Sequence, residues 1–272
     1  MTAAERPARR SDTLSRMPTV LVTGSTSGIG AGFAHRYARL GHDLVLVARD
    51  EERLQAQADE LRGTWHVDVE VLVADLNTDE GCAAVEARVA DGRRPIDVLV
   101  NNAGFALGVD FVHSDISDEE RLLRVLVRAP MRITKAALPG MLARDRGSII
   151  TVASVAAYTT RSTYGAAKAW ALRFSEALTV QLAGTGVRAL ALCPGLVHTE
   201  FHERGKVDAS AAPRWLWLDV DQVVDECLRD LRRGKTISIP SLRYKVLIGV
   251  ARRLPRRIVG RVSSSRGRPR RG

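Results

Sequence analysis

The sequence predicts one α/β domain, a three-layered fold with a doubly wound parallel sheet at its centre. Three observations carry that expectation. Short apolar runs alternate along the chain with longer stretches of helical period, the order that builds parallel sheets. The chain's 272 residues, 45% of them hydrophobic, suit one sizeable domain with a continuous core. Finally, Gly24, Arg49, Asp75 and Asn101 each follow an apolar run, so all four fall on the carboxyl edge of the sheet. Ligands of such sheets bind at that edge.

Taken in order, residues 1–18 form a basic, polar arm with no apolar run behind the charges, so no signal peptide is expected. A strand at Thr19–Thr23 runs into Gly24-Ser-Thr-Ser-Gly28-Ile-Gly30, and a helical pattern continues through Leu40. Strand, glycine turn and helix together form the setting in which glycines signal dinucleotide binding. Gly24 permits the tight turn, Gly28 lets the backbone approach a pyrophosphate, and Gly30 lets helix and strand pack closely. Ser25, Ser27 and Ile29 complete the turn, whose N–H groups at the helix start would hold the phosphates. The spacing is Gly-x-x-x-Gly-x-Gly rather than the commoner Gly-x-Gly-x-x-Gly.

The second strand, Asp43–Ala48, ends without a carboxylate and is followed by Arg49-Asp50. A carboxylate there takes the 2′-hydroxyl of NAD, whereas an arginine accommodates the 2′-phosphate of NADP. Asp50 reads as the N-cap of a helix over 51–62, which is compatible with Arg49 binding phosphate. NADP(H) is therefore favoured over NAD(H). A strand over Val67–Val73 leads to Ala74-Asp75-Leu76, a helix over 79–91, and a strand over Ile96–Val100 that ends in Asn101-Asn-Ala-Gly104. A long helix over 117–143 contains Pro130, which should kink or locally open it. The strand Ser148–Ala153 delivers Ser154 to the same sheet edge. A helix over 163–183, a strand over 187–192 ending in Cys193-Pro194-Gly195, and an irregular segment through Trp217 follow. A helix over 219–233 and a short strand Thr236–Pro240 close the body at residue 240.

Tyr164 and Lys168 stand four residues apart in the 163–183 helix, on one face and a single turn from each other. A free tyrosine has a pKa of about 10, and lowering it by roughly three units takes about 4 kcal/mol of differential interaction. A lysine together with a positively charged cofactor ring can supply that.

The formal charge of +10 is not spread over the molecule. Residues 241–272 hold eleven Lys/Arg and no Asp or Glu; without those eleven, 30 basic residues face 31 acidic ones over 1–240. The tail Leu242–Val262 has the outline of a basic amphipathic helix interrupted by Pro255, and Ser263–Gly272 is expected to lack fixed structure. This helix either packs on the body or meets an anionic membrane surface or an acidic partner such as an acyl carrier protein. No recognition module accompanies the charge, so specific nucleic-acid binding is not expected. Cys82, Cys193 and Cys227 make neither a disulfide framework nor a zinc pattern, which points to a reducing cytoplasm, peripheral to a membrane if the tail binds lipid. No metal site is expected: His198 and His202 lack carboxylate or cysteine neighbours at ligand spacing.

The ordered set Thr23-Gly-Ser-Thr-Ser-Gly-Ile-Gly30, Asp75, Asn101-Asn-Ala-Gly104, Ser154, Tyr164-x-x-x-Lys168 and Pro194-Gly195 with Thr199 resembles the short-chain dehydrogenase/reductase family over residues 18–240. The resemblance implies a Rossmann-like fold and hydride transfer between NAD(P)(H) and an alcohol/carbonyl pair. It implies Tyr164 as general acid, Lys168 as the group that lowers its pKa and holds the nicotinamide ribose, and Ser154 as the donor to the substrate oxygen. It places Asp75 and Leu76 near the adenine, and Asn102, Ala103 and Gly104 along the cofactor. Pro194, Gly195, Val197 and Thr199 fall at the nicotinamide end, with Thr199 on the carboxamide. It further implies a homodimer or homotetramer.

Two departures stand out. Family members usually carry an asparagine midway along the long helix, where it holds a water that feeds protons to the lysine. Here that position is Leu126, and the only asparagines are Asn77, Asn101 and Asn102. Another group or a backbone carbonyl must hold the water, or turnover suffers. The separation of Ser154 and Tyr164 is also a few residues short, and Ser162 is the nearest rival serine. Phe105–Phe111, Val155–Thr160 and Leu196–Trp217 should wall the substrate site with Phe105, Leu107, Phe111, Tyr158, Phe201, Trp215 and Trp217, which favours an apolar carbonyl or alcohol. Trp215 and Trp217 alternatively dock the following helix. The expected function is an NADP(H)-dependent oxidoreductase; the alternative is a weakly active cofactor-binding protein that acts as a sensor or scaffold through its tail.

Overall fold

The computed structural model describes residues 17–159, 162–201, 212–251 and 253. Seven strands form a parallel sheet. They are β1 (Thr19–Thr23), β2 (Asp43–Ala48), β3 (Val69–Val73), β4 (Val98–Asn101), β5 (Gly147–Val152), β6 (Val187–Leu192) and β9 (Ile237–Ser238), in the spatial order β3-β2-β1-β4-β5-β6-β9. Two further strands, β7 (Leu196–Val197) and β8 (Trp217–Leu218), pair with each other and pin the ends of the long segment between them. The strand order reverses between β1 and β4, where a crevice opens outside the carboxyl ends.

Alternation along the strands feeds two apolar layers. Val20, Val22, Leu44, Leu46, Val100, Ile150 and Leu190 face α1 (Gly28–Arg39), α2 (Glu51–Trp65) and α7 (Val220–Arg232). Leu21, Val45, Val47, Leu99, Ile149 and Ala189 face α3 (Asp79–Ala90), α5 (Ala129–Ala143) and α6 (Thr163–Gln181). Strands covered on both faces must be apolar at every position, which explains the near-continuous runs in the sequence.

Side chains start several helices. Asp50 accepts from Arg53 N–H at 3.0 Å, Thr78 from Gly81 N–H at 3.0 Å, and Ser162 from Gly165 N–H at 3.2 Å. Asp50 is thus the cap expected from sequence, and Ser162 is occupied as the cap of α6.

The expected long helix is three pieces: α4 (Ile116–Leu123), a π-turn (Arg124–Arg128) and α5. The reason is Pro130, which sits in the first turn of α5 and has no N–H for the preceding turn. The last strand is shorter than expected, because it pairs only with β6 and ends just before Pro240, which has no donor to extend the ladder. Helix α8 (Leu242–Ala251) buries Tyr244 and Ile248 against the body. The remainder of the expected tail helix and the arm 1–16 lie outside the described residues.

Candidate active site

Ser154 leaves β5 at the carboxyl edge and caps the 3-10 turn Val155–Tyr158, its Oγ accepting from Ala156 N–H at 3.1 Å. That bond uses a lone pair and leaves the hydroxyl proton to donate. Ser154 meets Tyr164 through a side-chain hydrogen bond, so the shorter spacing still brings the two hydroxyls together. Burial raises the Tyr164 phenol well above its ordinary value, and the Ser154 hydrogen bond opposes that rise. Lys168, one turn on, is buried; its Nζ donates to Val152 O at 2.6 Å and lies 5.7 Å from the Tyr164 ring centroid. Burial pulls its pKa down to about 8, with the Cys193 thiol opposing. At neutral pH the trio is therefore a protonated phenol beside an amine that is still mostly charged.

The glycine turn is joined to this group through the end of β4: a Cβ on Gly24 would sit 2.8 Å from Ala103 Cα, and one on Gly104 would sit 3.7 Å from Lys168 Nζ. Gly24 has φ +65 and Gly28 φ +54, conformations that only glycine adopts without strain. A Cβ on Gly30 would sit 2.1 Å from Gly24 O, and one on Gly28 would sit 3.0 Å from the Thr199 side chain, so the turn and Thr199 face each other closely. Ser27 starts α1 with extended backbone and no side-chain cap bond, and the first turn holds no acidic residue. Ser25 is fully buried, its carbonyl accepting from Gln57 Nε2 at 2.9 Å, and Ile29 packs against the core. Free N–H groups, a positive helix end and room guarded by glycine fit a pyrophosphate.

Thr23 and Asn102 tie the turn to β4. The amides of Asn102 and Ala103 donate to Thr23 Oγ1 at 3.0 and 3.1 Å, while Asn102 Nδ2 donates to Thr23 O and Gly24 O at 3.0 and 2.9 Å. Arg49 is exposed beyond β2, and among the described residues it makes no ion pair. Asp75 Oδ1 accepts from Asn77 N–H at 3.0 Å, and Leu76 is buried beside it. Pro194 O accepts from Val155 N–H at 3.0 Å, which joins the turn after β6 to the Ser154 turn. Val197 is held in the short pairing of β7 with β8.

The segments expected from sequence to wall the substrate site bring several rings together. Phe201 lies 5.7 Å from the Tyr164 ring, His198 stacks on Trp217 at 4.9 Å, and Arg121 sits 4.8 Å from the centre of Phe105. Trp217 therefore has a partner within the segment, whereas Trp215 and Phe111 are exposed. Sequence reasoning missed Tyr244. Its hydroxyl donates to Leu216 O at 2.8 Å and accepts from Leu196 N–H at 3.0 Å, and its ring fills the space a Cβ on Gly195 would need. The only available signal was a tyrosine in a segment that reads as tail.

A family model described as short chain dehydrogenase matches residues 18–208. The chain belongs to the short-chain dehydrogenase family. One relative, the NADP-dependent 3-hydroxy acid dehydrogenase of Salmonella typhi, is 42% identical over 190 residues, 67% of this chain and 74% of that enzyme. The sulfoacetaldehyde reductase of Chromohalobacter salexigens is 38% identical over 187 residues, 67% of this chain and 73% of its own. Among solved structures, a short-chain dehydrogenase from Sphingobium yanoikuyae in complex with NADPH superposes with a TM-score of 0.80 at 36% identity, covering 94% of this chain and 98% of that one. The bulky-bulky ketone specific alcohol dehydrogenase of Comamonas testosteroni gives 0.76 at 30% identity, covering 95% and 98%. Within this short-chain dehydrogenase, Leu126 is buried among Leu122, Ala167 and Tyr164. Its Cδ2 lies 2.6 Å from where a Cβ on Gly104 would be, so it fills the space beside Lys168 with hydrocarbon.

Proposed function

We propose that this chain is an NADP(H)-dependent oxidoreductase that moves a hydride between nicotinamide and the carbonyl or secondary alcohol of a largely apolar molecule. The observation that carries it is the hydrogen bond between Ser154 and Tyr164, with Lys168 one helical turn on and its Nζ 5.7 Å from the Tyr164 ring centroid. The cofactor supplies the hydride and a positively charged ring. Tyr164 delivers or takes the proton at the substrate oxygen, and Ser154 donates to that oxygen as negative charge develops there. Lys168 holds positive charge beside the phenol, against the opposing effect of burial.

Gly24, Ser25, Ser27, Gly28, Ile29 and Gly30 hold the phosphates, and Asn102, Ala103 and Gly104 line the path to the nicotinamide end. Pro194, Gly195, Val197 and Thr199 bound that end. Arg49, exposed and free of ion pairs among the described residues, takes the 2′-phosphate, while Asp75 and Leu76 meet the adenine. The NADP-dependent relative and the NADPH-bound structural neighbour support that choice of cofactor. Phe105, Leu107, Tyr158 and Phe201 support an apolar substrate, as does a structural neighbour specific for bulky ketones.

An open groove of about 540 Å³ between α5 and α6, with Met131, Leu138 and Phe174 in its walls, supports pairing of two copies. No described helix is long and apolar enough to cross a membrane. Leu242, Val246, Leu247 and Val250 are exposed on α8 ahead of the arginine-rich end, which supports docking to an anionic membrane surface or an acidic protein.

Tyr164→Phe tests the reading. Turnover of apolar ketones should fall by at least about a thousandfold, within the range of a lost general acid, while NADPH binding changes little. Undiminished turnover removes Tyr164 as the acid.

A further inference from the structure

Helix α8 has two unlike faces. Tyr244 and Ile248, four residues apart, are buried against the body. The Tyr244 hydroxyl holds Leu196 N–H and Leu216 O, and Arg243 Nη1 donates to Trp215 O. The helix is thus fixed to both ends of the segment expected to wall the substrate site. On its flank Lys245 pairs with Glu226 at 3.3 Å. The outer face carries Leu242, Val246 and Val250 at four-residue intervals, 74%, 58% and 53% exposed, with Leu247 beside them. Trp215 is also exposed and extends this stripe, held next to it by the Arg243 bond.

A helix that is apolar on every side is ordinarily covered on every side. The charge that follows α8 indicates what covers it. Residues 241–272 carry eleven Lys/Arg and no Asp or Glu, whereas the body is nearly neutral. Five of these, Arg252, Arg253, Arg256, Arg257 and Arg261, fall in the ten positions directly after the helix, interspersed with Leu254, Ile258 and Val259. A second copy of the chain would bring the same positive charge to the same place, which opposes self-association through this face. An anionic bilayer supplies both complements in one plane, negative charge at its surface and hydrocarbon just beneath. At ten residues α8 is too short to cross a bilayer and suits lying within its surface. The indole of Trp215 belongs at the same depth.

We propose that the outer face of α8, together with Trp215 and the arginines that follow, docks the protein on an anionic lipid bilayer, and that docking sets the substrate segment at the bilayer so that an apolar substrate enters from the lipid. Tyr244 is the link between the two events, since one side chain on the inner face of α8 holds both ends of that segment. Delivery rests on the apolar-substrate reading of the site, whereas docking stands without it.

Flotation of the full chain with phosphatidylglycerol/phosphatidylcholine vesicles reads docking. Binding should be at least about tenfold tighter than to phosphatidylcholine alone, and should weaken at least about fivefold between about 0.1 and 0.5 M salt. No binding to the anionic vesicles overturns the proposal. Val246→Asp combined with Val250→Asp alters two exposed side chains, so Tm and turnover of a short, water-soluble ketone should stay as in wild type. Its vesicle binding should fall at least about tenfold; wild-type binding would assign docking to the arginines alone and sink the role of α8. Delivery is read at a fixed total amount of a long-chain alkyl ketone. Anionic vesicles should raise the wild-type rate at least about threefold and lower that of the double variant, because they withdraw the ketone from a protein that stays in water. Equal effects on the two proteins sink delivery. Capture by polyglutamate without vesicle binding identifies an acidic partner and overturns the bilayer. A wild-type dimer that becomes a monomer in the double variant makes the face a self-interface, with the same consequence. If neither ketone is turned over, the catalytic reading fails while flotation still reads docking, so the two failures are distinguishable.

Discussion

The two halves of the crevice are held by different physics. The half proposed to take the cofactor is a lattice of part-buried hydrogen bonds: Asn102 and Ala103 N–H to Thr23 Oγ1, Asn102 Nδ2 to Gly24 O, and Gly24 N–H to Val47 O at 2.7 Å. Its tolerances are set by backbone atoms, which cannot move aside. The half proposed to take the substrate is held by rings and by contacts across long stretches of chain, with Phe201 on Tyr164, Trp217 on His198 and Tyr244 against Gly195. Rings can pivot, and the strands that pin this half are two residues each. A family that keeps one cofactor chemistry while varying its substrates needs this division, with rigidity where the ligand is constant and adjustable packing where it changes.

The sharpest test of the contrast is Gly30→Ala. The added methyl meets backbone at 2.1 Å, so the turn must deform. NADPH affinity should fall by at least about a hundredfold and stability by about 1–3 kcal/mol, measured by fluorescence titration and thermal unfolding. Unchanged affinity would mean that the turn is as compliant as the substrate side. Arg49→Glu comes next. It touches only an exposed side chain, so NADPH binding should weaken by about tenfold or more, with NADH binding and Tm little altered. Equal weakening of both cofactors would remove Arg49 from the 2′-phosphate.

Tyr244→Phe probes the other half. It removes one donor and one acceptor bridging Leu196 and Leu216, a loss of about 1–2 kcal/mol in stability with a raised KM and an unchanged NADPH Kd. A change in cofactor affinity instead would show that the halves are coupled. The smallest effect concerns Lys168. Its pKa in the fold is about 8 against an ordinary 10.5, so the unfolded chain holds the extra proton between those values, and stability rises with pH across that window. Below about pH 8 the cost of the buried ammonium is constant. Lys168→Met should therefore unfold at higher temperature than wild type at pH 7, with the gap shrinking from pH 8 to pH 10. A gap that stays flat removes the buried-charge account.

How much was legible follows the same division. The glycine turn, the strand ends, the Asp50 cap and the Tyr164–Lys168 pair were readable, because each depends on residues adjacent in sequence or one helical turn apart. Pro130 announced an opening of the long helix, though not its form. The role of Tyr244 was hidden, since its partners Leu196 and Leu216 are far away in the chain and its own segment reads as an arginine-rich tail.

Leu126 shows the boundary most clearly. The sequence by itself determined the α/β class, the glycine turn between β1 and α1, the order of the motifs and the absence of an asparagine at this position, because local periodicity, backbone conformation and residue identity are properties of short stretches. Only the tertiary structure decided what stands there instead. It brought Asn101 of one strand beside Thr151 of the next, and gathered them with Val125, Leu126 and Lys168 around one small cavity. Strand register and helix docking make such neighbours, and both are settled by the packing of the whole core.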